Sequence, residues 1–600
     1  MRDWLYSTYA LSTLCFAAVL LVSAVDRGQA QPLSDDQEIR GWNILSDEVE
    51  GGLETIENAS AYDINHLQIS HHNIMDLRHV RDEERLAVAD TLVTAAHEAG
   101  IQEVAFWDHS LYPLEYYPER FKTGPGGTID LDNPAFWTWL KNDYREMLAI
   151  APDIEALILT FIETGARVED QHSDELQTDA EKLAKVVNAV ADVVIDEYDM
   201  NLYARTFAYD QKEYDRITNA IGHFEHEDIR LMMKETPHDF LMPHPPDFYA
   251  GKFDRTTMIE FDPAGEFHGQ GIVLNTFPEV FLRRASALIE RDHVQGYVAR
   301  MDRYGGTHIV NTPTEINAKA IDMYFEDPTT TSVADVYETF ITERYGERAY
   351  PMLNEAFRNG RHITLSAFYT LNTNTADHSR LDYDPYRSSY GRHVSGRWLD
   401  PPITYVPRDV NKEFHYWKDI INTIAPDWAK KGGTQLGELS SQQREWLDEQ
   451  ERMNEQYLRY ILEEKDRGVA LARENLEHLE AAKPHLAEQQ YQDLYHHFQH
   501  TLLTMQIRRE TAAAYWGFRV YARGEKHRSD YVVNTLDQAL EDMLTLADQI
   551  EDYPVKPPEG QWEWSEDAEM ARQYHEWITE EGWPAETEDH PVSFGGETYP

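Results

Sequence analysis

Residues 229–266 read IRLMMKETPHDFLMPHPPDFYAGKFDRTTMIEFDPAGE, and this stretch decides the fold. Two short apolar runs, IRLMM (229–233) and TMIEF (257–261), each give way to charge: Lys234 and Asp239 follow the first, Glu266 the second. Upstream, ALILTF (156–161) leads into Glu163, and LYARTF (202–207) carries Arg205. Runs this short, rich in β-branched and aromatic side chains, fit strands buried on both faces better than helices. Acidic groups at the carboxyl ends of successive buried strands form the catalytic rim of a (β/α)₈ barrel. Lys234 and Arg205 add fixed positive charge to that rim. Acids that move protons, beside cations that hold an anion, point to hydrolysis of an acidic sugar.

Working outward, eight candidate strands emerge. They are HLQIS (66–70), EVAFW (103–107), the four runs above, GYVAR (296–300) and THIV (307–310). Amphipathic stretches such as ERLAVADTLVTAAHEAG (84–100) and AEKLAKVVNAVADVVIDEYD (180–199) lie between them. Strands alternating with helices predict a parallel sheet, and eight of them over about 250 residues suit a TIM barrel. The predicted fold is therefore α/β, a (β/α)₈ barrel over 61–335 followed by a mostly α-helical domain over 336–600. Residues 31–60 read as a polar N-terminal segment. Long helices are expected across 437–525, and 361–410 reads as a loop rich in Tyr, His, Arg, Asn and Asp. Loops of that length are often functional. The tail from 553 mixes Trp, Pro and acid and reads as a cap or a mobile end.

At 600 residues the chain is too long for one core, and 42% hydrophobic with 12% aromatic residues suits globular packing. Lys and Arg number 54 against 107 Asp and Glu, a net charge of -53. That balance excludes nucleic acid, whose phosphates need a basic footprint. The acid is spread along the chain, as a solvated surface would have it. Residues 1–30 read as a signal peptide: Arg2, then LCFAAVLLVSA (14–24), with small-residue cleavage options after Ala24 or Ala30. A secreted or periplasmic protein is expected, with no stable membrane span after processing; retention of the segment as an N-terminal anchor stays open. Cys15, the one cysteine, falls inside that segment. Disulfide and cysteine chemistry are therefore not expected in the mature chain.

Four motifs resemble the catalytic barrel of the α-glucuronidases, glycoside hydrolase family 67. Lys234-Glu235-Thr236-Pro237-His238-Asp239-Phe240 is similar to the family's Lys-Asn-Gly-Pro-x-Asp-Phe. Ile259-Glu260-Phe261 with Gly265-Glu266-Phe267-His268-Gly269-Gln270 resembles its Glu-Phe strand and Gln-Glu-Tyr-x-Gly-Gln turn. Tyr203-Ala204-Arg205-Thr206-Phe207-Ala208-Tyr209 is similar to a Trp-Arg-x-Phe-x-Tyr strand, and Phe161-Ile162-Glu163 stands at the acid-bearing strand end. Order and spacing agree. The resemblance implies that Glu163 is the general acid and that Asp239 and Glu266 activate water, either one as base with the other in support. It implies that Arg205 and Lys234 grip a uronic carboxylate, that no cofactor is needed, and that the helical region forms a homodimer. With about thirty-five residues between the signal segment and the first predicted strand, the family's domain before the barrel is not expected here, and Glu235-Thr236 replaces Asn-Gly. The glycan therefore stays open between xylan fragments and another uronic-acid-bearing polymer.

Physical chemistry agrees with these roles. Glycoside hydrolysis needs one carboxyl kept protonated and another kept ionised, about 6.5–9.5 Å apart when the anomeric centre inverts. Glu163, flanked by Phe161 and Ile162, is expected to be the desolvated acid. Alone, each acid has a plainer reading as a helix cap, an ion-pair partner or an exposed turn residue. Only their joint occurrence on one rim favours catalysis. His71 and His72 after the first candidate strand, Trp107, Asp108 and His109 after the second, and Arg300, Asp302 and Arg303 after GYVAR are further candidates for sugar contacts. No His-x-x-x-His helix with a partner Glu is present, so no metal site is predicted. Two rivals stay open: a barrel glycosidase of different sugar preference, and a carbohydrate-binding protein without turnover.

Overall fold

The computed structural model describes residues 32–580, apart from 35, 209–210, 243, 372, 382–396, 399–404 and 407–452. The signal-peptide reading of residues 1–30 lies outside the described residues. Eight parallel strands form a closed barrel in sequence order. They are β1 (Ile39–Ile44), β2 (His66–Ile69), β3 (Glu103–His109), β4 (Ala156–Thr160), β5 (Asn201–Arg205), β6 (Arg230–Lys234), β7 (Thr257–Phe261) and β8 (Val294–Arg300). Six of the eight predicted strands, β3 to β8, sit within a residue or two of their expected places, and HLQIS is β2.

The list of strands is corrected at its ends. The first strand is IRGWNI (39–44), inside the segment read as N-terminal, so the barrel begins before residue 61. Arg40, Gly41 and Asn43 dilute its apolar signal, and pairing with both β2 and β8 makes it a strand. A Cβ on Gly296 would lie 1.9 Å from the Ile39 carbonyl oxygen, so glycine is needed where β1 and β8 close the cylinder. THIV (307–310) is buried but is not a strand; the Ile309 amide bonds the Met301 carbonyl at 2.8 Å, folding the chain back on the exit of β8.

Helices follow seven of the strands: Val49–Ala59, Glu83–Glu98, Pro134–Leu148, Asp179–Val194, Gln211–Ala220, Pro278–Leu288 and Ile316–Glu326. Local chemistry starts them. The Asp82 carboxylate caps the Glu84 and Arg85 amides, and Thr178 and Glu181 form a reciprocal capping box. Between β6 and β7 the described residues hold no helix, as Pro245 and Pro246 in that segment favour.

Strand side chains alternate inward and outward, so positions two apart share the barrel interior. Tyr203, Met232, Met258 and Val298, with Trp107 and Ile158, fill an apolar inner layer. Below it, at the start of the strands, His66, Glu103, Tyr203 and Arg230 form a buried polar plug, with Leu33 inserted against it.

The C-terminal region is helical, with Val333–Tyr345, Tyr350–Phe368, Glu455–Ala482, Glu488–Tyr521, Asp530–Asp552 and Glu566–Glu580. Among the described residues no helix is long and apolar enough to cross a membrane. The stretch read as a loop from 361 is helical to Phe368 and then makes short hairpins up to Leu381. Arg508 of the 34-residue helix Glu488–Tyr521 forms a buried two-point ion pair with Asp567, at 2.6 and 2.7 Å, and donates to the Ser379 carbonyl at 2.7 Å. Ser379 in turn bonds the backbone of the Glu266 turn, accepting from Gly269 N and donating to Glu266 O. The helical region thus braces the barrel mouth.

Candidate active site

The site grows from the alternation inside β5–β8. Two residues beyond the apolar layer, the same inward face carries Arg205, Lys234, Glu260 and Arg300. Glu260 sits between two guanidiniums, accepting from Arg205 Nε at 2.7 Å and Arg300 Nε at 2.7 Å. Burial pushes its pKa up, but Arg205, Arg300 and Lys234 outweigh burial and bring it down to about 2. This charged layer is the floor of a cavity of about 250 Å³.

Glu163, Asp239 and Glu266 all line that cavity, as do Arg205, Lys234, Arg300, Arg303 and His71. Asp239 accepts from Lys234 Nζ at 2.9 Å. Lys234 itself lies over the rings of Phe207 and Phe240, at 4.0 and 3.8 Å, which hold a buried ammonium by cation–π attraction. Burial raises the Asp239 pKa, yet Lys234 and His238 bring it below the ordinary value. Glu266 accepts from Arg303 Nη2 at 2.6 Å, lies 3.4 Å from Arg300 Nη1, and pairs with His378 at 3.3 Å. Those cations overcome burial and hold it well below the usual carboxylate range. Asp239 and Glu266 are both ionised.

Glu163 departs from expectation. Phe161 and Ile162 are buried, but Glu163 turns outward in the left-handed region, φ 62°, and is exposed at the edge of the cavity. The desolvated carboxyl expected here is not found. His71, also left-handed at φ 46°, packs its ring 4.9 Å from Trp107. Burial, then Arg300 and Arg303, push its pKa well below 6.5, so the imidazole is neutral.

The two expected carboxylate grips are already engaged, Arg205 by Glu260 and Lys234 by Asp239. Trp107 lies fully buried beneath the floor, donating to Gln68 at 2.9 Å with Arg205 4.7 Å over its ring. His72 stacks on Tyr304 at 3.8 Å and is not a lining residue. His109 is buried against the Met75 carbonyl at 2.7 Å, and Asp302 accepts from the amides of Leu45 and Tyr304. None of these four lines the cavity. Reasoning from sequence missed Glu260, whose signal was an acid in phase with the inward Met258. It also missed Phe207, His378 and Gln561, of which the last two come from beyond the barrel.

Asp108 is likewise not in the cavity. It accepts from Leu77 N at 3.0 Å, Tyr112 Oη at 2.8 Å and Tyr144 Oη. Asp108→Ala strands three buried donors and is expected to cost about 3–5 kcal/mol, read by urea unfolding. Burial raises its pKa from 3.8 to about 7 against the tyrosine bonds. The unfolded chain then releases this proton first, so its contribution to stability is full at low pH and declines as pH rises from about 4 to about 7. Asp108→Asn should remove that slope.

Among the described residues two groups have the donor types for a cation, Asp130/Asp132/His172 and Asp192/Asp196/His226; neither lines the cavity. Lys141 already pairs with Asp192.

No protein-family model matches the chain, and no curated protein sequence matches it. Solved structures do match. An O-GlcNAc hydrolase mutant from Thermobaculum terrenum is 11% identical, covering 92% of this chain and 95% of that one, with a TM-score of 0.41. BtGH115A, a family GH115 4-O-methyl-α-glucuronidase with specificity for decorated arabinogalactans, is 10% identical; the match covers 94% of this chain and 63% of that one, TM-score 0.46. CpGH84D is 10% identical over 90% and 76%, TM-score 0.39. At these values the likeness carries no argument about chemistry. The chain is a closed eight-stranded parallel barrel with a helical C-terminal region, and its chemistry is read from the residues of its own site.

Proposed function

We propose that the protein is a glycoside hydrolase that releases an α-linked uronic acid, glucuronic acid first, from acidic oligosaccharides by general acid/base catalysis with inversion. One observation carries the reading: three carboxylates and four cations converge on a single cavity at the carboxyl ends of the barrel strands. Its volume, about 250 Å³, lies below the roughly 300–1,000 Å³ of sites for drug-sized ligands. It suits one sugar ring.

Asp239 is the better base of the two ionised acids. Glu266 is held by Arg303, Arg300 and His378 and is 8% exposed, whereas Asp239 has Lys234 and is 18% exposed. Glu163, exposed at the edge of the cavity, is assigned the acid role, giving its proton to the departing glycosidic oxygen. Lys234, Arg205, Arg300 and Arg303 are each engaged by a carboxylate of the protein, but Arg303 Nε and Nη1 make no hydrogen bond to the described residues, so the carboxylate of the sugar is assigned to the Arg303 side.

Proton NMR of the anomer first formed from a panel of uronic-acid oligosaccharides tests the reaction, the sugar and the stereochemistry together. The inverted anomer of a free uronic acid is the expected product. Faster cleavage of neutral glycosides would overturn the sugar, and binding with no product would leave a carbohydrate-binding protein. Glu163→Ala should abolish cleavage of a poor leaving group and spare an activated aryl one. Equal loss on both would remove Glu163 from the acid role.

A further inference from the structure

We infer that Gln561, carried to the barrel mouth by the C-terminal segment 553–565, is a substrate-contacting residue that donates its side-chain amide to the carboxylate of the bound sugar acid. The inference rests on reading the cavity as a uronic-acid site, and it adds a contact from outside the barrel. Gln561 lines the cavity although it is far in sequence from every strand. Its Oε1 accepts from Arg303 Nη2 at 2.5 Å, the same nitrogen that holds Glu266 Oε1 at 2.6 Å. A guanidinium can only donate, so the amide orientation is set by chemistry: the oxygen faces Arg303 and the NH₂ faces away. That Nε2 makes no hydrogen bond to the described residues. An oriented amide donor beside an arginine is a receptor for an anionic oxygen.

The segment is seated too tightly for this placement to be incidental. Gln561 N donates to Arg303 O at 2.8 Å, and Trp562 N to Gln270 Oε1 at 2.9 Å. Gly306 N donates to Glu559 O at 3.2 Å. A Cβ on Gly305, at φ 50°, would lie 2.2 Å from Glu559 O, and one on Gly560 would lie 2.5 Å from Thr307 Cγ2. Trp562 is fully buried behind it. The segment therefore rests on two of the loops that bring charge to the cavity, the one with Glu266 and the one with Arg303. Removing the amide alone leaves those backbone bonds in place.

Titration calorimetry of the full chain with D-glucuronate and with D-glucose tests the inference. Gln561→Leu, close in shape but without polar atoms, should weaken glucuronate about tenfold and glucose little, with a melting temperature close to that of the unaltered protein. Gln561→Glu keeps the bond to Arg303 but turns the donor into an anion, and should weaken glucuronate about a hundredfold; it also serves if the Leu variant does not fold. Unchanged glucuronate affinity in both variants, or equal loss for the two sugars, would overturn the contact. An unaltered protein that binds neither sugar would instead overturn the reading of the cavity, and this inference with it.

Discussion

Asp239→Asn is expected to lower kcat by about 10³–10⁴-fold while leaving the fold intact. General-base contributions reach that scale when the base is in contact with the attacking water. Asparagine has the shape of aspartate and still offers an oxygen to Lys234 Nζ, which lies 2.9 Å away, so the local packing survives. The lost property is the negative charge that takes the proton. Because Lys234 and His238 hold the Asp239 pKa below its ordinary 3.8 despite burial, the base is ionised across the neutral range. The acidic limb of kcat/KM should therefore fall below pH 4. A variant that keeps more than a tenth of the activity, with the same limb, would pass the base role to Glu266. The corresponding Glu266→Gln change should act differently. It removes the partner of Arg303, Arg300 and His378 together, so its loss should appear in KM as well as kcat.

Glu260→Gln is expected to be the most destabilising single change in the barrel mouth, about 3–5 kcal/mol by chemical unfolding. Breaking one side of a buried ion pair leaves uncompensated charge, and here two arginines and Lys234 would face one another across the cavity floor. The glutamate is fully buried and bonded by both guanidiniums. The pH signature has a definite sign. Its folded pKa is about 2 against 4.5 when unperturbed, so its stabilisation is complete above about pH 4.5 and is lost as pH falls toward 2. Glu260→Gln should therefore lose stability at neutral pH and show less additional loss on acidification. An effect under 1 kcal/mol at pH 7 would mean that the layer relaxes to admit water. Pairing it with Arg205→Met in a double-mutant cycle would then apportion the network.

The barrel was legible because its strands are buried on both faces. ALILTF, IRLMM and TMIEF announce themselves by continuous apolarity, and the acids after them by contrast. IRGWNI does not, since a strand that closes a cylinder through Gly41 and Gly296 needs backbone proximity more than apolar bulk. THIV misled for the converse reason: a buried loop folded back on β8 is as apolar as a strand. Within the site, Glu163, Asp239, Glu266, Lys234, Arg205, Arg300, Arg303 and His71 were named from their positions after strands and do come together. Trp107, Asp108, His109 and Asp302 were named by the same rule, but they point under the floor or away from it, because the rule gives the end of the barrel and not the side of the strand.

Sequence by itself determined the parallel barrel, its rim of acids and cations, and the helices that follow, because period and polarity are local properties of the chain. Tertiary structure alone decided which of those charges are spent on one another. Glu260 between its arginines, Lys234 on Asp239, and His378 and Gln561 reaching in from beyond the barrel all depend on distances across the fold. Ion pairing and burial fall off over a few ångströms, and residues 205 and 260, or 303 and 561, become neighbours only when the cylinder closes and the last segment settles across its mouth.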